Sequence, residues 1–321
     1  MIRGSQAKLC VLSGKAFFFS CETPCPMTFM KTTTEKLTDE EENPKVLIIT
    51  GMHRSTTSLV TQWLRQCGLF IGERLVGPDQ GSTAGQVEDP DFLRMHERLL
   101  KKRNYSTTGL IDKPIRPLTP EEIDELRTLI DTRNKEHGEW GWKDHRTCLF
   151  LDTYERILPF AFYLVIVRDY TATINSMVLR QQQVDLKKFE SKKGFSRLMW
   201  KWFKMRRIKK PFEVYTEKFL KIWIHYYKTI LRHMRLVPEE QYLFIHYKQL
   251  AYNDAGLFKK LTLDWHFSLH YSPFAAVYRK ELLHRPSNID KYVHDKSLIE
   301  KAKAIEDHIV YLLDPMNVKI V

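Results

Sequence analysis

Val46 to Ile49 form an apolar, mostly β-branched run that continues through Thr50 into Gly51. Such a run, bounded by glycine, predicts a strand buried on both faces. Leu59, Val60, Trp63, Leu64 and Cys67 follow at helical spacing and stop near Gly68, the pattern of an amphipathic helix. A glycine-punctuated loop covers Gly77 to Glu88. Phe92, Met95, His96, Leu99 and Leu100 predict a helix after Pro90. Thr119, Pro120, Glu121 and Glu122 open another, with a capping residue, a proline at the first helical position and acids in the first turn. Trp140 to Lys143 reads as a short strand and Ala161 to Val167 as the strongest strand in the chain, followed by a helix from about Thr171 to Gln181. Leu220, Trp223, Ile224, Tyr227, Leu231 and Met234 trace a long amphipathic helix. Tyr242 to His246 reads as a further strand, and helices finish the chain. Strands alternating with helices predict an α/β fold, a three-layer sandwich with a central parallel sheet and flanking helices. With no internal repeat and no clean break, residues 45–321 read as a single domain.

Residues 1–44 read as a disordered or non-native extension. Leu9 to Cys21 is apolar but broken by Gly14 and Lys15, a poor signal peptide. Thr32 to Glu42 is polar and acidic, and Met27 and Met30 are candidate alternative starts.

Composition adds a core and one anomaly. Of 321 residues, 43% are hydrophobic, enough for a sizeable core. No stretch reaches ~18 uninterrupted apolar residues, which argues against a membrane-spanning helix. The formal net charge is +12, which points to anionic partners. It is unevenly placed: Lys187 to Lys210 holds eleven lysines and arginines against one acid, Glu190, leaving a nearly neutral body. Within that segment Phe195, Leu198, Met199 and Trp202 recur at i, i+3, i+4 and i+7, a basic amphipathic insertion at about 185–212. Three readings stand open: a helix resting on an anionic membrane, a rim that recruits an anionic acceptor such as a sulfated glycan, or a solvated face whose aromatics pack on the domain. Nucleic acid is disfavoured because no recognition module accompanies the run. The five cysteines lack zinc spacing and suggest reduced thiols in a cytoplasmic protein, with peripheral membrane association as the variant reading.

The first informative chemistry is the loop Gly51-Met52-His53-Arg54-Ser55-Thr56-Thr57-Ser58. A buried strand feeding a tight loop and a helix N-terminus presents backbone N–H groups and a positive dipole end. Arg54 and the hydroxyls add donors suited to phosphate or sulfate. The ATPase pattern G-x-x-x-x-G-K-S/T would need Gly at 56 and Lys at 57, and both are Thr. A nucleotide kinase is therefore disfavoured.

This loop resembles the 5′-phosphosulfate-binding loop of sulfotransferases that use 3′-phosphoadenylyl sulfate (PAPS), whose carbohydrate and tyrosylprotein branches carry a form close to G-x-x-R-S-G-T-S/T. Gly51, Arg54, Ser55, Thr57 and Ser58 fit, and Thr56 replaces the family glycine. If that position needs a positive φ, Thr is strained there. A second match follows at the end of the strongest strand. The family has R-D-P with a serine eight residues on as its 3′-phosphate site; here Arg168, Asp169 and Ser176 fit and Tyr170 replaces the proline. The resemblance implies a P-loop-like sandwich and in-line transfer of a sulfuryl group from PAPS to a hydroxyl or amine, with no metal called for. It implies that Gly51, Arg54, Ser55, Thr56, Thr57 and Ser58 hold the phosphosulfate while Arg168 and Ser176 hold the 3′-phosphate.

The acceptor side follows from the same resemblance. Gly85 to Phe92 resembles the segment carrying the family's glutamate base, which makes Glu88 the candidate base; the competing role for Glu88 or Asp89 is to cap the next helix. Trp140 to Thr147 resembles a W-x-x-K-D-P-R stretch, so Lys143 would face the sulfuryl group together with Arg54. His145 stands at the proline position as a fallback base. Asp144 and Arg146 would pair to hold the loop, or Arg146 would meet an anionic acceptor. Arg279 or Arg285 would close over the nucleotide. The implied partners are PAPS or its product PAP and a hydroxyl-bearing acceptor, carbohydrate or lipid. The rival reading is a non-catalytic PAP-binding or membrane- or glycan-docking protein on the same scaffold.

Overall fold

A computed structural model describes residues 43–72, 87–278 and 288–313. The first strand, β1 (Lys45–Thr50), leads through the loop into α1 (Thr57–Gln66). Then come α2 (Pro90–Lys102), α3 (Pro120–Glu136), β2 (Glu139–Lys143), α4 (Leu151–Ile157), β3 (Phe162–Val167) and α5 (Tyr170–Glu190). The chain continues through α6 (Gly194–Phe203), α7 (Arg206–Lys209), α8 (Pro211–Met234), β4 (Tyr242–His246), α9 (Tyr247–Lys259) and α10 (Lys296–Leu313). All four strands pair in parallel in the order β2-β1-β3-β4.

The continuous apolar runs have the cause predicted for them: alternate residues go to opposite buried faces. Val46, Ile48, Trp140, Trp142, Tyr163, Val165 and Phe244 pack on one side with α2, α3, α5, α8 and α10. Leu47, Ile49, Leu164, Ile166 and Ile245 pack on the other with α1 and α9. The three-layer sandwich with a parallel sheet is the architecture observed. At the start of α3, Thr119 and Glu122 form the reciprocal capping box that the sequence signature called for.

One expectation is corrected and one open reading is narrowed. The helix after β3 runs to Glu190 rather than Gln181, because Val184, Asp185 and Leu186 extend it into the basic segment. That segment is the end of α5 followed by α6 and α7, and Phe195 and Trp202 do not pack on the domain: they are 75% and 77% exposed, whereas Trp200 is half-buried. The loop from Gly77 lies outside the described residues except for its last two positions, and Arg279 and Arg285 also lie outside them. No described helix is long and apolar enough to cross a membrane.

Candidate active site

The site forms where β1, β2 and β3 deliver their carboxyl ends side by side, the edge at which parallel sheets of this kind bind ligands. Gly51 leaves β1 at φ 148°, and a Cβ there would stand 2.3 Å from the Ile166 carbonyl oxygen, so no other residue fits. The backbone then turns through two left-handed positions, Arg54 (φ 65°) and Thr56 (φ 67°). Thr56 thus occupies a left-handed conformation that favours glycine. Its hydroxyl donates back to the Ser55 carbonyl, and the first-turn amides of α1 have no side-chain cap.

The loop side chains part company. Thr56, Thr57 and Ser58 line a cleft of about 1070 Å³, together with His53 and Arg54. Ser55 is fully buried and turns to the core, with its hydroxyl 3.4 Å from the Tyr227 hydroxyl on α8. Neither Gly51 nor Ser55 lines the cleft, so their part in it is to shape the backbone.

On one side of the cleft the two anion motifs merge. Arg54 Nε donates to Ser176 Oγ at 3.0 Å, and Arg168 Nη1 donates to the Arg54 carbonyl at 3.1 Å. Arg168 is 6% exposed, and its Nε is buried without a partner. Burial, with Arg180 and Arg168 close by, pushes the Arg54 guanidinium down to about 10, and burial lowers Arg168 as well. Guanidiniums depressed in this way call for an anion between them. Among the described residues seven cationic side chains line the cleft against one carboxylate, Glu88.

That carboxylate marks the other side. Lys143 Nζ, at the end of β2, donates to Glu88 Oε1 at 2.5 Å and to Ser58 Oγ at 3.0 Å. Glu88 Oε2 is buried without a partner. Its neighbour Asp89 takes the capping role instead, accepting from Asp91 N at 2.8 Å and from Phe92 N at 3.4 Å.

Residues 44–265 match the family model described as the sulfotransferase family. The chain belongs to the sulfotransferase family. Among solved structures, sulfotransferase STF9 from Mycobacterium avium aligns with a TM-score of 0.53 at 11% identity, covering 84% of this chain and 77% of that one. The sulfotransferase domain of the Synechococcus PCC 7002 olefin synthase aligns with a TM-score of 0.41 at 16% identity, over 87% and 97%. No curated protein matches the sequence. At these identities the STF9 likeness speaks for the fold.

In this family member the loop after β2 is held from beneath. Burial raises Asp144, but His145, His96 and Arg146 outweigh it and hold the carboxyl far below its ordinary range. Asp144 accepts from Arg146 N and Nη1 at 3.1 and 3.0 Å, and lies 2.8 Å from His96 Nδ1. The other donors of Arg146 go to Glu97 and Thr107, so its expected pairing role is occupied from every side. The His145 ring lies tilted at 45° against His53 with centroids 3.4 Å apart, and burial, together with Arg146 and Lys143, pushes it down to about 3. It is neutral at physiological pH and a weak base.

The departure at Tyr170 also has a cause. Its N–H donates to Glu306 Oε1 at 2.8 Å, a bond proline could not make, and its hydroxyl donates to Asp290 Oδ1 at 3.2 Å. Sequence reasoning missed Arg180 and His53. Arg180 was within reach: Ser176, Arg180, Val184 and Lys188 recur every fourth residue along one stripe of α5, and all line the cleft. Nothing in the sequence marks His53, whose Nε2 is buried without a partner.

Proposed function

We propose that the protein transfers a sulfuryl group from PAPS to a hydroxyl or amine acceptor. The observation that carries this reading is the pairing of two separate electrostatic centres in one cleft. Arg54, Arg168 and Ser176 suit the 3′-phosphate of a nucleotide. The α1 N-terminus with Thr57, Ser58 and Lys143 suits its phosphosulfate end. In this apportioning Arg54 serves the 3′-phosphate side through its bond to Ser176, and Lys143 alone meets the reacting group.

The chemistry is a displacement at sulfur. The acceptor oxygen forms the new S–O bond as the bond from sulfur to the bridging oxygen of PAPS breaks. PAP leaves with the electron pair, and Lys143 and the α1 amides stabilise the charge that grows on it. The acceptor proton goes to Glu88 Oε2, the buried oxygen that Lys143 does not occupy. His145, neutral and weakly basic, orients rather than deprotonates.

The test is calorimetry with PAP and with 5′-AMP in magnesium-free buffer, followed by transfer assays with labelled PAPS on a panel of carbohydrate and lipid alcohols. PAP is expected to bind at least about ten-fold tighter than AMP, as an extra charge-assisted contact would give. Equal affinities, or no PAP binding, would overturn the reading. Tight PAP binding with no transfer across the panel would favour the non-catalytic alternative.

A further inference from the structure

Outside the cleft the most unusual feature is α6. No described side chain of this helix is buried, and Lys192 through Met199 are exposed on every side. Phe195, Leu198, Met199 and Trp202 are 75%, 50%, 42% and 77% exposed and fall at i, i+3, i+4 and i+7. They form one apolar stripe facing water. Lys193, Arg197, Lys201 and Lys204 flank it, and the lone acid in the run, Glu190, precedes it. A ten-residue helix whose only half-buried described side chain is Trp200 is marginal in water and gains its stability from whatever covers its apolar face.

We propose that α6 docks the protein on an anionic lipid bilayer. Phe195, Leu198, Met199 and Trp202 enter the boundary between headgroups and acyl chains, and the lysines and arginines of α6 and α7 meet the lipid phosphates. A short helix with Trp, Phe and Leu on one face and lysine and arginine on the other is the interfacial pattern, and a negative leaflet draws such a segment in. Charge decides against the other occupants. A second copy of the chain would press two segments of net +10 against each other. A nucleic acid or glycan would satisfy the cations but leave Leu198 and Met199 in water.

The placement has a consequence for the cleft. The stripe Ser176, Arg180, Val184, Lys188 carries the cleft wall along α5 to within one short turn of α6. Docking through α6 therefore brings that end of the cleft towards the bilayer. The docking itself does not depend on the proposed sulfuryl transfer.

The experiment uses the full-length protein with vesicles of phosphatidylcholine containing about 30 mol% phosphatidylserine, against phosphatidylcholine alone. Co-sedimentation gives the partition coefficient, and bromine-labelled acyl chains quench any tryptophan that inserts. Trp202 is the strongly exposed tryptophan, so it reports insertion. Binding to the anionic vesicles with quenching is expected, and Trp202→Phe should lose most of the quenching while still binding. The pair Phe195→Ser with Trp202→Ser should weaken partitioning more than about ten-fold. Each of Lys193→Glu, Arg197→Glu and Lys201→Glu should weaken it about five-fold or more. Because these side chains touch no core, their melting temperatures should match wild type, which separates lost docking from lost folding. Four results would overturn the proposal. One is no preference for anionic vesicles, and a second is equal binding by the Phe195/Trp202 pair. Another is a dimer in sedimentation velocity that the same pair abolishes. The last is tighter binding to heparin or single-stranded DNA that the pair leaves intact.

Discussion

The cleft and the α6 segment use the same residue types under opposite conditions. In the cleft a few cations are held out of water: Arg168 is 6% exposed and Lys143 3%, and each is tied to a backbone carbonyl or side chain by a specific bond. In the segment eleven cations crowd 24 positions, and Lys187, Lys188, Lys192, Lys193, Arg197 and Lys201 stand exposed. Buried charge is strong, directional and costly to leave unmatched. Exposed charge is weak per residue and screened by salt. The total charge of the chain is therefore a poor guide to the cleft, since most of it lies in the exposed segment from Lys187 to Lys210.

Five measurements would sharpen or break this division. The largest effect should come from Glu88→Gln, which removes the proton acceptor and keeps the hydrogen bond to Lys143. Turnover should fall by about 10²–10⁴ with PAP affinity nearly unchanged; an active variant would remove Glu88 from the chemistry. Glu306, behind the N-terminus of α5, comes next. Burial, with Asp169, Asp307 and Asp290 nearby, raises its carboxyl to about 7 despite the Tyr170 N–H. The folded state thus favours the protonated form, so stability from this group is full below pH 4.5 and lost as pH rises to 7. The loss is on the order of 2–3 kcal/mol. Glu306→Gln should flatten the decline in a series of thermal melts, whereas substitutions in α6 should leave the pH profile unaltered.

Arg168→Ala should weaken PAP binding by about 10–100-fold, the worth of one charge-assisted contact, and leave vesicle binding intact. Raising salt from 0.1 to 1 M shortens the screening length from about 10 to about 3 Å. Vesicle binding should collapse over that range while PAP binding falls far less, and parallel loss of both would erase the distinction between the regions. The smallest effect should be Thr56→Gly. Relief of a left-handed threonine is offset in part by the added freedom of the unfolded chain, leaving a net gain of about 1 kcal/mol in chemical denaturation.

Much of the fold was legible because it rests on short-range pattern. The four apolar runs became the four strands, and the requirement for glycine at 51 follows from a loop that must pass under the Ile166 carbonyl. The candidate site was legible as a set of residues but not as an arrangement. Nothing local says that Arg54 bonds Ser176, 122 positions away, or that Ser55 turns from the cleft to Tyr227. Arg180 was overlooked because its four-residue spacing from Ser176 gains meaning only once α5 is known to wall a cleft.

By itself the sequence determined the alternation of strand and helix, the donor-rich chemistry of two turns and the two-faced nature of α6. These depend on periodicity and on residue chemistry within a few positions. The tertiary structure alone decided which turns share a cleft, since the order β2-β1-β3-β4 sets three strand ends side by side. It also decided that the apolar face of α6 meets solvent. Periodicity says that a helix has an apolar face; only the packing of the rest of the chain says whether anything is there to cover it.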